Sequence, residues 1–183
     1  MDDFVQAVTA FLQAVIAFLQ QLPTWPVILL GAVVAFLSWR SQKSLTQAKN
    51  SIDLQNNYLS SPGILPAFYA IADLTKKMER LELLHLATAD TESFTEEQQT
   101  TLKTIRTVLN ALERMAIGVG KSVYDEDLLF NSYATFVTET YDGLEPFISA
   151  KQDTNPRYYA NFAALAVDWK AKRDKTSKSL KRQ

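Results

Sequence analysis

The chain has 183 residues, 47% of them hydrophobic and 21% charged, with a formal net charge of −1, no cysteine and one histidine. The absence of cysteine excludes disulfides and thiol chemistry. A single histidine excludes a His-rich zinc centre and the paired histidines of zinc proteases.

The charge is unevenly spread. Residues 4–39 carry no Lys, Arg, Asp, Glu or His. As one straight helix this stretch would reach roughly 54 Å, against a hydrocarbon core of about 30 Å. Pro23 and Pro26 are therefore read as breakers, since each lacks a backbone N–H and disfavours helix in the residue before it.

Ahead of the prolines lies a seven-residue repeat: Phe4-Val5-Gln6-Ala7-Val8-Thr9-Ala10, then Phe11-Leu12-Gln13-Ala14-Val15-Ile16-Ala17, then Phe18-Leu19-Gln20-Gln21-Leu22. Seven residues bring a helix nearly back to the same face. Phe4, Phe11 and Phe18 thus form one stripe, Gln6, Gln13 and Gln20 a second, and Ala7, Ala10, Ala14 and Ala17 a third. Small residues allow close helix approach and Gln amides can bond across helices, so the pattern predicts self-association. An amphipathic helix lying in a membrane interface, a second span and a Gln-lined pore are the other readings of residues 1–23.

Residues 24–39 are read as a transmembrane helix. They form an apolar run of 16 residues bracketed by Trp25 and Trp39, which suit the membrane interface, with Leu22 or the stem of Arg40 extending it. Arg40, Lys43 and Lys49 follow, while the other end offers only Asp2 and Asp3. The positive-inside rule then gives a single-pass protein of the inner, cytoplasmic membrane with its C-terminal domain in the cytoplasm. An acidic N-terminus argues against a cleaved signal peptide.

From Arg40 the apolar residues fall at helical spacing, so residues 40–169 are predicted to be an all-α cytoplasmic helical bundle. A helix continuing to about Leu59 places Leu45, Ala48, Ile52 and Leu59 on one side and ends at Ser60-Ser61-Pro62-Gly63. The next, from about Ile64 to Leu86, uses Phe68, Ile71, Ala72, Leu74, Met78 and Leu81. Thr95-Glu96-Glu97-Gln98 has capping-box spacing and opens a helix with Leu102, Ile105, Leu109, Leu112 and Ala116 on its core face. That helix stops near Gly118 and Gly120, where a left-handed residue is expected. Asp125 caps a following helix that turns Leu129, Tyr133, Phe136, Val137 and Tyr141 inward until Asp142-Gly143. A short helix starts at Glu145-Pro146. After Asn155-Pro156 the last helix buries Tyr159, Phe162, Leu165, Ala166 and Trp169. About 130 residues are enough for one core.

Four ordered motifs, Asn110-Ala111-Leu112-Glu113-Arg114-Met115-Ala116-Ile117-Gly118-Val119, Tyr124-Asp125-Glu126, Leu144-Glu145-Pro146-Phe147-Ile148 and Tyr159-x-x-Phe162-x-x-Leu165-x-x-x-Trp169, carry a resemblance over about Arg40 to Trp169. The chain resembles an uncharacterised family of small single-pass bacterial and phage membrane proteins with a cytoplasmic helical domain of unknown function. The resemblance implies an architecture and no established activity. The heptad segment is not a feature of that family.

Glu113 is flanked on its helix by Leu109, Leu112 and Ala116. A half-buried carboxylate there suits acid–base work, or pairs structurally with Arg114, Arg106 or a neighbouring helix. Asn110, one turn earlier, is expected to bond loop backbone near Gly118 or Tyr124. Asp125, Glu126 and Asp127 are a helix cap or, as the alternative, oxygen ligands for Mg²⁺ or Ca²⁺, although they lack EF-hand spacing. His85 is read as a partly exposed helix residue. No phosphate loop, dinucleotide fingerprint or nucleophile elbow occurs, so no enzyme activity, cofactor or metal is expected. Asn110, Glu113, Tyr124, Asp125 and Pro146 are taken as a structural or interaction corner.

The stretch 170–183 is a basic tail with seven Lys or Arg against one Asp, net +6, whereas residues 44–168 hold ten basic against seventeen acidic residues, net −7. Membrane lipid ranks first as the tail's partner, a solvated end second and nucleic acid last. The function expected from sequence is that of a membrane-anchored sensor, scaffold or regulatory component acting by contact with itself and an unidentified protein partner. The alternative is an oligomeric membrane-permeabilising protein gated by its cytoplasmic domain.

Overall fold

Apolar residues at helical spacing become helices throughout the described residues. The computed structural model describes residues 2–21 and 24–180, and among these every regular element is helical. The elements are α1 (Asp2–Gln21), α2 (Thr24–Asp53), a π-helical segment (Leu54–Leu59), α3 (Leu65–Lys77), α4 (Arg80–Thr88), a 3₁₀ turn (Thr91–Ser93), α5 (Glu96–Gly120), α6 (Glu126–Thr154) and α7 (Ala160–Leu180). The chain divides into two compact units, Met1–Leu45 and Thr46–Gln183. Leu22, Pro23, Lys181 and Arg182 lie outside the described residues, as do the side chains of Phe4, Gln20, Trp25 and Lys178.

The first unit holds α1 and the beginning of α2, with Pro26 in the first turn of α2. Among the described residues no helix is long and apolar enough to cross a membrane. This overturns the expected single-pass placement in the inner membrane, with its span at 24–39 and a cytoplasmic C-terminal domain. The physical reason is the length of the apolar run. Sixteen residues of helix cover about 24 Å, short of a core of about 30 Å, and extending the run brings in Arg40, Gln42 and Lys43.

The second unit is a helical bundle. Helix α5 packs against α3 and α7, and α6 against α3, α4 and α7. Its core is one cluster in which Trp169, Phe147, Phe162, Ile105, Leu109, Leu112, Met115, Leu129 and Leu144 are completely buried. The expected core face of α5 is the observed one, as is that of α7 at Phe162, Leu165, Ala166 and Trp169, whereas Tyr159 precedes α7 and is half-buried; Thr95 with Gln98 forms the capping box before α5.

Four local expectations differ, each for a physical reason. In the π segment the Ser60 amide donates to Gln55 O at 3.1 Å, and the extra residue per turn rotates the face. Ser51, Leu54 and Leu59 are buried there, while Leu45 and Ile52 of the expected stripe are 68% and 46% exposed. The single helix expected over 64–86 is two, because extended Met78 and Glu79 break it and Glu79 and Glu82 cap α4 reciprocally. Leu81 consequently points to solvent at 74% exposure. Helix α5 runs through both Gly118 and Gly120, and the left-handed turn falls on Ser122 at φ 54°. Gly118 serves the approach of the Tyr124 ring instead, since a Cβ there would lie 2.0 Å from Tyr124 Cε2.

Lastly, α6 is continuous through Asp142-Gly143 and Pro146, where a break and a new short helix were expected. Proline removes one helical hydrogen bond, but Leu144, Phe147 and Ile148 on one side and Val137 on the other are buried in the core. Core packing outweighs the lost bond. Helix α7 continues through the first eleven residues of the basic stretch.

Candidate functional site

Helix α7 is capped from another helix. Asn155 spends its Oδ1 on the Arg157 amide at 3.0 Å, and the residue before α7 is Tyr159 in a left-handed conformation at φ 53°. Glu113 of α5 supplies the cap from another helix. Its Oε1 accepts from Asn161 Nδ2 at 2.7 Å and from the Asn161 amide at 3.4 Å, and its Oε2 accepts from the Phe162 amide at 2.7 Å. A carboxylate at a helix N-terminus satisfies free N–H groups and complements the positive end of the dipole. Of the structural alternatives for Glu113, the neighbouring helix is the one found. Arg114 instead lies over the Tyr58 ring, 5.6 Å from its centroid. Burial pushes the nearby Tyr159 hydroxyl up, and the Arg106 guanidinium pulls it partly back.

The acidic run after Tyr124 is divided among three duties. Asp125 Oδ1 accepts from the Leu128 amide at 3.0 Å, the cap predicted from sequence. Glu126 accepts from the buried Trp169 indole at 3.2 Å. Asp127 accepts from Lys172 Nζ at 2.7 Å, and the same ammonium stands 4.4 Å from the Phe130 ring centroid. The hydrogen bond to Asp127 raises the Lys172 pKa. No group of three His, Asp or Glu able to hold a metal occurs among the described residues. Lys170 pairs with Asp142 at 2.7 Å and Arg173 donates to the Thr138 hydroxyl, so part of the basic stretch is joined to α6.

The loop between α5 and α6 is held by α2. Gln47 Nε2 donates to Ser122 O at 2.7 Å, Asn50 Nδ2 donates to Val123 O at 3.1 Å, and the buried Ser51 hydroxyl accepts from the Asp125 amide at 2.8 Å. These residues carry the task assigned to Asn110, which is exposed and lines a groove with Arg106 and Thr107. Their signal in the sequence is a polar set at i, i+3 and i+4 on one helix face, which apolar spacing does not reveal. The expected corner is thus partly assembled. Tyr124 meets Gly118, Asp125 meets Ser51 and Glu113 meets α7, whereas Pro146 is buried about 31 Å along α6 from Asp125.

Most of the exposed large apolar side chains among the described residues belong to the first unit. Phe11, Leu12 and Phe18 of α1 are 67%, 54% and 64% exposed, and Gln6 and Gln13 are exposed beside them. In α2, Ile28, Leu29, Leu30, Val33, Val34, Phe36 and Leu37 are each more than half exposed. Trp39 is exposed, its ring 6.0 Å from Phe36 and under Lys43 Nζ at 5.9 Å, and Arg40 is exposed beside it.

These features define a helical protein with an apolar N-terminal unit and a polar-capped helical bundle. The chain belongs to the DUF4760 family, a domain of unknown function, whose match covers residues 25–169. The uncharacterised family implied by the four motifs is thereby supported, without its single-pass membrane character or bacterial and phage origin. The α1 heptads and the basic stretch from Lys170 fall outside the matched region. No curated protein and no solved structure shows a match to the chain.

Proposed function

We propose that the protein acts by protein–protein contact, as a scaffold, sensor or regulatory component that assembles through its first unit. The observation that carries this reading is the exposed apolar surface of α1 and early α2, with Phe11 and Phe18 in one heptad stripe. A contiguous apolar face of this kind marks an interaction site. Because the repeat is identical in every copy, a second copy of α1 offers the same seven-residue spacing. Each Phe buried in such a contact contributes about 1.5–3 kcal/mol. Phe4, Phe11, Phe18, Gln6, Gln13 and Gln20 are the residues assigned to self-association. The bundle remains available for an unidentified protein partner.

The permeabilising alternative requires a helix able to cross a bilayer, and no observation favours it. Light scattering with detergent correction tests the assembly reading on the full chain and on a chain lacking residues 1–22. The full chain is expected to form a defined oligomer that dissociates on truncation. Equal association states would remove α1 from assembly and with it this proposal.

A further inference from the structure

Of the ten Lys and Arg in residues 44–168 only Arg80 is ion-paired among the described residues, and two of the others, Arg106 and Lys103, share one groove. The ion pairs among the described residues join Arg80 to Glu145, Lys170 to Asp142, and Lys172 to Glu126 and Asp127. Arg106 and Lys103 belong to none of them, although residues 44–168 hold seventeen acidic side chains. Both cations line a groove of about 470 Å³ between α5 and the Thr91–Ser93 turn, with Thr107 and Asn110 on the same helix. Its floor is the buried Phe94 and Leu102. Glu92 also lines the groove without pairing to either cation.

A third cation feels the Arg106 charge. Lys151 of α6 is held below its ordinary pKa by burial and by the Arg106 guanidinium. Glu113, on the same helix as Arg106, is committed to the α7 N-terminus.

We propose that this groove binds a small phosphate-bearing ligand, with Arg106 and Lys103 on the phosphate, Thr107 and Asn110 completing its hydrogen bonds, and the remainder of the molecule covering Phe94 and Leu102. A guanidinium offers paired donors that match phosphate oxygens, and an ammonium adds a mobile point charge. The volume lies within the range of small-molecule sites and exceeds what a bare phosphate fills. This assignment is independent of the assembly of the first unit.

The probes are sodium pyrophosphate and sodium citrate, added to the full chain at matched ionic strength and followed by calorimetric titration and thermal melting. Pyrophosphate is expected to bind and to raise the melting midpoint. Arg106→Gln is expected to bind about ten- to a hundredfold more weakly, as follows from losing a charge-assisted contact. Lys103→Gln should weaken binding in the same direction, while Lys121→Gln, at the end of α5 and outside the groove, should leave it unchanged. Both groove cations are exposed, so without probe Lys103→Gln should melt with the parent and Arg106→Gln, which relieves its repulsion of Lys151, should be no less stable than the parent. No pyrophosphate binding, binding indifferent to Arg106→Gln and Lys103→Gln, or citrate binding as tightly as pyrophosphate would each overturn the phosphate assignment.

Discussion

Replacing Glu113 by alanine removes the cap of α7 without touching α7 itself. Three donors lose their acceptor: Asn161 Nδ2, the Asn161 amide and the part-buried Phe162 amide. Loss of an N-cap costs about 0.5–2 kcal/mol. Loss of the charge at the helix N-terminus adds roughly 0.3–1 kcal/mol. The Phe162 amide cannot fully rehydrate, because Phe162 is completely buried and lies edge-on to Tyr141 at 6.0 Å, so the upper part of the range applies. The expected destabilisation is about 2–3 kcal/mol, which for a chain of this size lowers the melting midpoint by about 4–12 °C. Glu113→Gln keeps one acceptor oxygen but loses the charge, and should cost about half as much. Circular-dichroism melts of the full chain measure the stability, and hydrogen exchange at Asn161 and Phe162 locates the loss. An unchanged midpoint with those amides still protected refutes the cross-helix cap. Unchanged stability together with a lost turnover would return Glu113 to acid–base chemistry.

Ser51→Ala leaves the Asp125 amide without its acceptor and should cost about 1–3 kcal/mol in urea denaturation, with faster exchange at residues 122–125. Gly143→Ala places a Cβ 2.5 Å from Thr75 Cβ, an atom fixed to backbone, and should destabilise by about 1–3 kcal/mol. Gly118→Ala should cost less, since its clash is with the outer ring of Tyr124, which can swing away; equal losses in thermal melts would contradict this. Tyr159 has a pKa raised above its ordinary 10.0, first by burial, so its neutral form is favoured in the fold. Its contribution is therefore complete below pH 10.0 and is lost as pH rises through the higher folded value. Tyr159→Phe should match the parent at neutral pH and lose less stability above pH 10.0, and an alkaline limb identical to the parent's would discount the residue.

Local sequence determined the helical class, the α5 and α7 core faces, the Thr95–Gln98 box and the Asp125 cap, because apolar periodicity and capping depend on residues within one or two turns. The heptads of α1 were legible for the same reason. Tertiary structure decided what depends on residues far apart in the chain. A glutamate of α5 caps α7 across a sequence separation of 48 residues, and Ser51 meets Asp125 across 74. Core burial carried α6 through Pro146, while the π segment turned the α2 face from Ile52 to Ser51 and Leu54. Neither periodicity nor propensity contains such information, since each concerns a single helix, whereas a cap or a register supplied by a second helix exists only once the two are packed.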